Sequence, residues 1–233
     1  MANITLYTAP TANGYKVSIA LEELCLEYAV RHLHFEKNEQ KTKEFLSLNP
    51  NGRIPVIVDH SSNDFVLSES GAILIYLAEK SGRLIPENEY LRFEVLQWVM
   101  FQMSAVGPMM GQAMFFQRIA APKGIVDDYA IDRYVKESRR LLEIIDHRLS
   151  DREYICDAFS IADIAIFPWS RAHRWGNIDV SDLVHLSRWF ELMEAKDSVQ
   201  KGIRVPSGKY PVAFSSVADL SEATRLNSEK YEA

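Results

Sequence analysis

Cysteine is scarce in this chain: Cys25 and Cys156 are the two in 233 residues. Two thiols cannot complete a metal site, so no metal is expected, and their separation offers no CxxC redox pair. Cys25 falls inside a helical apolar pattern, and Cys156 lies in an apolar stretch before a helix start. Both therefore read as small buried hydrophobes. If the chain carries out thiol chemistry, the ligand has to bring the thiol. Positive charge is short as well. The net charge is −6 and no basic run appears, which argues against a nucleic-acid partner. The longest apolar runs, such as Ala72 to Leu77, fall far short of the ~20 residues that span a bilayer. The N-terminus enters a strand pattern at Ile4-Thr5-Leu6-Tyr7 without the charged and apolar regions of a leader. A soluble, cytoplasmic protein that engages neither membrane nor nucleic acid is expected. Internal repeats and low-complexity segments are missing too.

What is present is an ordinary globular composition, 47% hydrophobic and 25% charged, at a length that suits one large domain or two small ones. Residues 3–8 read as a strand, and Ala9-Pro10-Thr11-Ala12-Asn13-Gly14 as a turn. From Tyr15 to Leu26 the apolar positions recur at helical spacing. Glu27 to Phe35 alternates, with Tyr28, Val30, His32 and His34 on one side. A short helix follows at Lys43 to Leu48, then a strand at Val56–Val58, a turn at Ser61 to Asp64, a strand at Phe65–Leu67 and a helix from Glu69 to Ser81. The order β-α-β-α-β-β-α describes a small mixed four-stranded sheet carrying helices, its first crossover a right-handed βαβ unit. Gly82 to Glu89 reads as a linker, after which the patterns are helical. These are Tyr90 to Arg118, bent near Gly107-Pro108, then Ile125 to Leu149, Ser160 to Trp175 and Asp182 to Lys196. The expected architecture is α/β followed by all-α, divided into residues 1–84 and 85–233. The last ~35 residues, rich in Ser and Pro, are expected to be irregular or draped over the surface.

Two local devices point to a ligand. Ile54, before Pro55, is pushed to an extended conformation and can offer peptide-like hydrogen bonds. The amides of Glu69, Ser70 and Gly71 sit where a helix N-terminus attracts a carboxylate. Read singly, Pro55 fits a mere strand start and Glu69-Ser70 a helix cap. Together, a strand-hairpin apart, they suit an extended peptide-like ligand. Phe159-Ser160-Ile161-Ala162-Asp163-Ile164 is a capping box with a staple, a folding signal rather than a site.

The Ile-Pro at the third strand, the Glu-Ser-Gly at the third helix, the all-helical second half and the Ser-Ile-Ala-Asp box together resemble the glutathione transferase superfamily, whose N-terminal half is thioredoxin-like. Ala-Pro-Thr-Ala-Asn-Gly and Gly-Pro-Met-Met-Gly-Gln look like its nu class, which includes bacterial disulfide reductases, and like the related fungal nitrogen-regulator-like transferases. The resemblance implies glutathione as co-substrate and a cis Pro55. It implies that Ile54 pairs with the cysteinyl part, that Glu69 holds the γ-glutamyl amino group and that Ser70 holds its carboxylate. Gln40 and Arg53 fall near the glycyl end, and Arg133 matches a basic residue aimed at a glutathione carboxylate, a task suited to its fixed fork.

Free glutathione has a thiol pKa near ~8.5, so an enzyme at neutral pH gains by stabilising the thiolate. The resemblance carries that role to the Thr11 hydroxyl and the Asn13 amide, both non-titrating donors. Either residue also fits a plain turn, with Asn13 capping the first helix, and Tyr7 is a weaker candidate facing the core or the domain interface. Met110, Met114, Phe115, Phe116 and Trp169 are expected to line a second-substrate pocket, although such a stripe also fits a core. The resemblance implies a homodimeric transferase that reduces small disulfides, with glutathione or oxidised glutathione and a small electrophile or disulfide as partners. The alternative is a non-catalytic ligand-binding or regulatory protein of the same fold.

Overall fold

The computed structural model describes residues 2–209, 211 and 214. Its first half is thioredoxin-like. Strands β1 (Ile4–Thr8), β2 (Tyr28–His32), β3 (Val56–Asp59) and β4 (Phe65–Ser68) form one sheet in the order β2-β1-β3-β4. β1 runs parallel to β2, with Leu6 opposite Val30, and antiparallel to β3, with Leu6 opposite Ile57. The parallel pair is joined by helix α1 (Ala12–Glu23), and the antiparallel β3–β4 pair is a hairpin. β3 is buried at every position, as expected of a strand covered on both faces, whereas β2 is a partly exposed edge. Helix α2 (Lys43–Leu48) precedes β3, and α3 (Ser70–Ser81) follows β4.

The second half is helical: α4 (Glu89–Phe101), α5 (Gly107–Phe115), α6 (Asp128–Arg148), α7 (Ile161–Arg171), α8 (Val184–Glu194) and α9 (Asp197–Gly202). The bend expected near Gly107-Pro108 is a π-helical turn over Gln102–Val106, just ahead of the proline. Such wide turns often mark functional positions in a helix. Helix α7 begins with the expected capping box. The Ser160 Oγ accepts from the Ala162 N–H at 3.2 Å, and Asp163 Oδ2 accepts from the Ser160 N–H at 3.1 Å. Asp163 is fully buried, and its other oxygen accepts from the Ile155 amide and the Trp189 indole.

α1 is the central helix. Residues Gly14 to Leu21 are all buried, because α1 is packed by α3, α7 and α9. Helix α9, which falls where an irregular tail was expected, approaches so closely that a Cβ on Gly202 would lie 2.6 Å from the Ile19 backbone. The Ser18 hydroxyl closes this contact by donating to the Gly202 carbonyl at 2.7 Å. The rest of that expected tail lies outside the described residues. Cys25 departs from expectation because α1 ends earlier than its apolar pattern. The Leu26 amide bonds Leu21 O and the Cys25 amide bonds Glu22 O, a Schellman ending that turns Cys25 to φ 54° and leaves it exposed. Cys156 is buried as expected, and burial pushes its thiol up to about 12.

Candidate functional site

The turn from β1 into α1 supplies two polar side chains. Thr11 is the helix N-cap, with extended backbone, and its Oγ1 accepts from the Gly14 amide at 3.2 Å. The cap is thus Thr11 rather than Asn13. Gly14 is required there, since a Cβ would lie 2.4 Å from Thr8 Oγ1 and 2.5 Å from the Ala9 carbonyl. Asn13 is held otherwise. Its Oδ1 accepts from Lys16 Nζ at 3.0 Å and from the Trp169 indole Nε1 at 2.9 Å. Two donors on one side fix the carboxamide's orientation, because its NH2 could accept from neither. The NH2 is therefore turned away from them, and it has no acceptor among the described residues.

Lys16, which the sequence reading did not single out, is 1% exposed. Besides Asn13, its ammonium donates to Gln102 Oε1 at 2.6 Å and reaches Ser70 Oγ at 3.5 Å and Met103 Sδ at 3.9 Å. Burial lowers its pKa to about 7, opposed by the charge of Glu69. The apolar run of α1 hides this lysine in sequence. What could have found it is that apolar residues occupy every side of α1, so a lysine among them has no exposed face to occupy.

At the start of α3, Glu69 holds φ 68° and ψ 111°, a conformation that costs a non-glycine residue about 1–3 kcal/mol and is typically met at binding sites. No side chain caps α3, so among the described residues its first amides are left unbonded at the positive end of the helix dipole. Glu69 is exposed and Ser70 buried. Ile54–Pro55 is cis, and the ladder pairing of β3 begins beyond it at Val56. Asn49, buried, clamps the approach to this edge: its Nδ2 donates to the Arg53 carbonyl at 2.7 Å and its Oδ1 accepts from the Asn51 amide at 3.1 Å. Gln40 lies beside the same turn, its carbonyl 2.9 Å from where a Gly52 Cβ would stand. The Gln40 Oε1 is buried without a partner among the described residues, and Arg53 is exposed. Lys41 Nζ stands at the same place, a second cation that the sequence reading passed over.

The expected second pocket is brought together only in part. Trp169 lies between the Asn13 turn and α5, its ring 3.4 Å from a Cβ placed on Gly111. Met114 is half-buried. Phe116 stacks on Tyr134 of α6 at 5.8 Å, next to the exposed Arg133, and Phe115 meets its edge. Met110 is a correction: it is 0% exposed and belongs to the core, because its face of α5 turns into the bundle. Tyr7 is half-buried, its ring 6.1 Å from that of Phe45 of α2. An open depression of about 600 Å³ between the end of α1, Tyr28 and Lys201 gathers no reactive cluster. Among the described residues no group of His, Cys, Asp and Glu could hold a metal ion, and no helix is long and apolar enough to cross a membrane.

A thioredoxin-like sheet joined to a helical bundle, with a cis-proline at the start of its third strand and an uncapped start to the third helix, defines a class. The glutathione S-transferase N-terminal domain matches residues 2–79 and its C-terminal domain matches residues 110–197, so the chain belongs to that family. It is 39% identical to the disulfide-bond oxidoreductase YfcG of Escherichia coli over 86% of this chain and 94% of the relative. A glutathione transferase of Burkholderia graminis, solved with two glutathione molecules per subunit, is 45% identical with a TM-score of 0.83, covering 89% of this chain and 90% of that one. A glutathione transferase of Pseudomonas putida, solved with one glutathione disulfide per subunit, is 41% identical with a TM-score of 0.84, covering 88% and 93%.

Proposed function

We propose that this protein is a nu-class-like, cytoplasmic, homodimeric glutathione transferase that also reduces small disulfides with glutathione. Residues 1–84 bind glutathione, and residues 85–233 supply the second-substrate side. The observation that carries the reading is the locked carboxamide of Asn13, which turns away from Lys16 and Trp169 a donor that has no acceptor among the described residues, beside the Thr11 hydroxyl. Both are donors that do not titrate, suited to a thiolate.

The site fits glutathione. The uncapped start of α3 suits the γ-glutamyl carboxylate at Ser70, with Glu69 for the amino group. The Ile54 peptide, outside the ladder, suits pairing with the cysteinyl unit. Gln40, with its unpartnered Oε1, and Arg53 suit the glycyl end, and Arg133 a carboxylate reaching the bundle. Met114, Phe115, Phe116 and Trp169 offer apolar surface for a small electrophile or disulfide.

Neither cysteine serves as nucleophile. Cys156 is buried with a raised pKa, and Cys25 lies at the far end of α1, about 18 Å from Asn13 at 1.5 Å per residue. In disulfide reduction one glutathione thiolate attacks a substrate sulfur and expels a thiol. A second then displaces the other thiol, so two glutathiones become one glutathione disulfide and the substrate becomes two thiols. Thr11 and Asn13 lower the barrier by holding the attacking sulfur as thiolate. The test is turnover of 2-hydroxyethyl disulfide and of a chlorodinitrobenzene-type electrophile with glutathione. Glutathione binding without turnover of either substrate would leave a binding or regulatory protein instead.

A further inference from the structure

We propose that Lys16 is the positioning residue of the sulfur site: its buried ammonium pins the Asn13 carboxamide with its donor outward and supplies the positive charge that a bound thiolate completes. The inference rests on the function proposed above and adds to it a residue that touches no ligand.

The case begins with what surrounds Lys16. A buried ammonium is expensive unless paired, yet among the described residues no carboxylate lies within ion-pair distance of Nζ. Its partners are neutral oxygens and a thioether: Asn13 on its own helix, Ser70 on α3, Gln102 and Met103 on the π-turn. The charged group acting on it is Glu69, and that side chain is exposed and acts from a distance. Replacing a buried charge by an apolar residue of similar volume is often neutral or stabilising. This one is instead wired to the one side chain whose orientation the sulfur chemistry needs. A sulfur accepting from Asn13 Nδ2 would stand roughly 6–8 Å from Nζ, two hydrogen bonds and a carboxamide away. At that range in a low-dielectric site, an opposite charge favours the thiolate. The thiol proton leaves to solvent, and Lys16 keeps its own.

Two variants test this. Lys16→Met keeps length and removes the charge. Gln102→Glu keeps shape and neutralises the ammonium with a carboxylate. The readouts are the pH dependence of bound-thiolate ultraviolet absorbance, calorimetric affinity for S-methylglutathione, which has no thiol to ionise, and an NMR titration of the Lys16 side chain with and without glutathione. In both variants the bound thiol's pKa is expected to rise by about one to two, with S-methylglutathione affinity within threefold of wild type. In wild type, glutathione is expected to raise the pKa of Lys16. An unchanged thiol pKa in a folded variant overturns the proposal, and if Lys16→Met fails to fold, Gln102→Glu decides alone. Wild-type protein that binds no glutathione overturns the underlying reading first, and is thereby distinguishable from failure of the Lys16 inference.

Discussion

Asn13→Asp is the sharpest single perturbation of the sulfur site. The side chain keeps its shape, and its inner oxygen still faces Lys16 Nζ at 3.0 Å and the Trp169 indole at 2.9 Å. What changes is the outer atom, which turns from donor to anionic acceptor. Loss of a charge-assisted hydrogen bond to the thiolate costs about 1.5–3 kcal/mol. A carboxylate about 4 Å from the sulfur adds roughly 4 kcal/mol of repulsion at an effective dielectric of 20. Lys16 stands beside residue 13 in both proteins and so does not cancel the difference; the sum of about 5.5–7 kcal/mol before solvent screening corresponds to at least a hundredfold fall in kcat/KM. Stability should not fall, because the buried ammonium gains the carboxylate it lacks. The assay pairs turnover of 2-hydroxyethyl disulfide with a thermal melt and S-methylglutathione affinity. Turnover within threefold of wild type would refute the thiolate role, and so would a parallel loss of melting temperature and S-methylglutathione binding, which would make Asn13 merely structural.

Three further outcomes follow from the geometry. A thiol reagent should label Cys25 and spare Cys156 in the native protein, and Cys25→Ser with Cys156→Ala should retain disulfide reduction; loss of turnover in that variant would put a cysteine back into the mechanism. His173 is buried against Phe190, its ring hydrogen-bonded to the Ile178 carbonyl, and burial lowers its pKa to about 4. The folded state therefore favours the neutral ring, so stability is present above pH 6.5 and is lost as pH falls from 6.5 toward 4. The loss is on the order of 3 kcal/mol in urea denaturation, and His173→Phe should flatten that slope. Asp163→Ala strands four buried donors, the amides of Ile155 and Ser160, the Ser160 hydroxyl and the Trp189 indole. It should lower unfolding free energy by about 3–6 kcal/mol, and a loss under 1 kcal/mol would mean the box is dispensable.

Local patterns carried the elements well, because each arises from spacing and turn chemistry that neighbours decide. The mixed four-stranded sheet followed from the βαβ unit and the hairpin, and the box at Ser160 from four adjacent residues; the order β2-β1-β3-β4 is set by the structure. Cys25 was misread because periodicity does not say where a helix stops. The 6→1 bond from Leu26 to Leu21 ends α1 two residues before the cysteine. α9 was missed because a six-residue helix carries little periodicity, and its stability comes from the Gly202–Ile19 contact. Met110 looked like pocket lining because composition alone does not say which face of α5 turns inward. The Lys16 cluster was illegible for a deeper reason: its partners Gln102 and Trp169 lie 86 and more residues away in sequence, and only packing of the two halves brings them to Asn13.

That packing separates recognition from activation. Of the elements suited to hold the ligand, the Ile54 edge is oriented by residues close in sequence, such as Asn49, and the start of α3 is also packed by Met103 of the second half. The group suited to hold the sulfur is oriented from the second half, by the Trp169 indole directly and by Gln102 through Lys16. A change in the bundle can thus alter the sulfur's surroundings without touching any residue that grips the peptide. On the proposed function, the stretch from Asn49 to Ser70 selects a ligand class without fixing a reaction, and the reaction turns on how a lysine in the middle of α1 is held from across the interface.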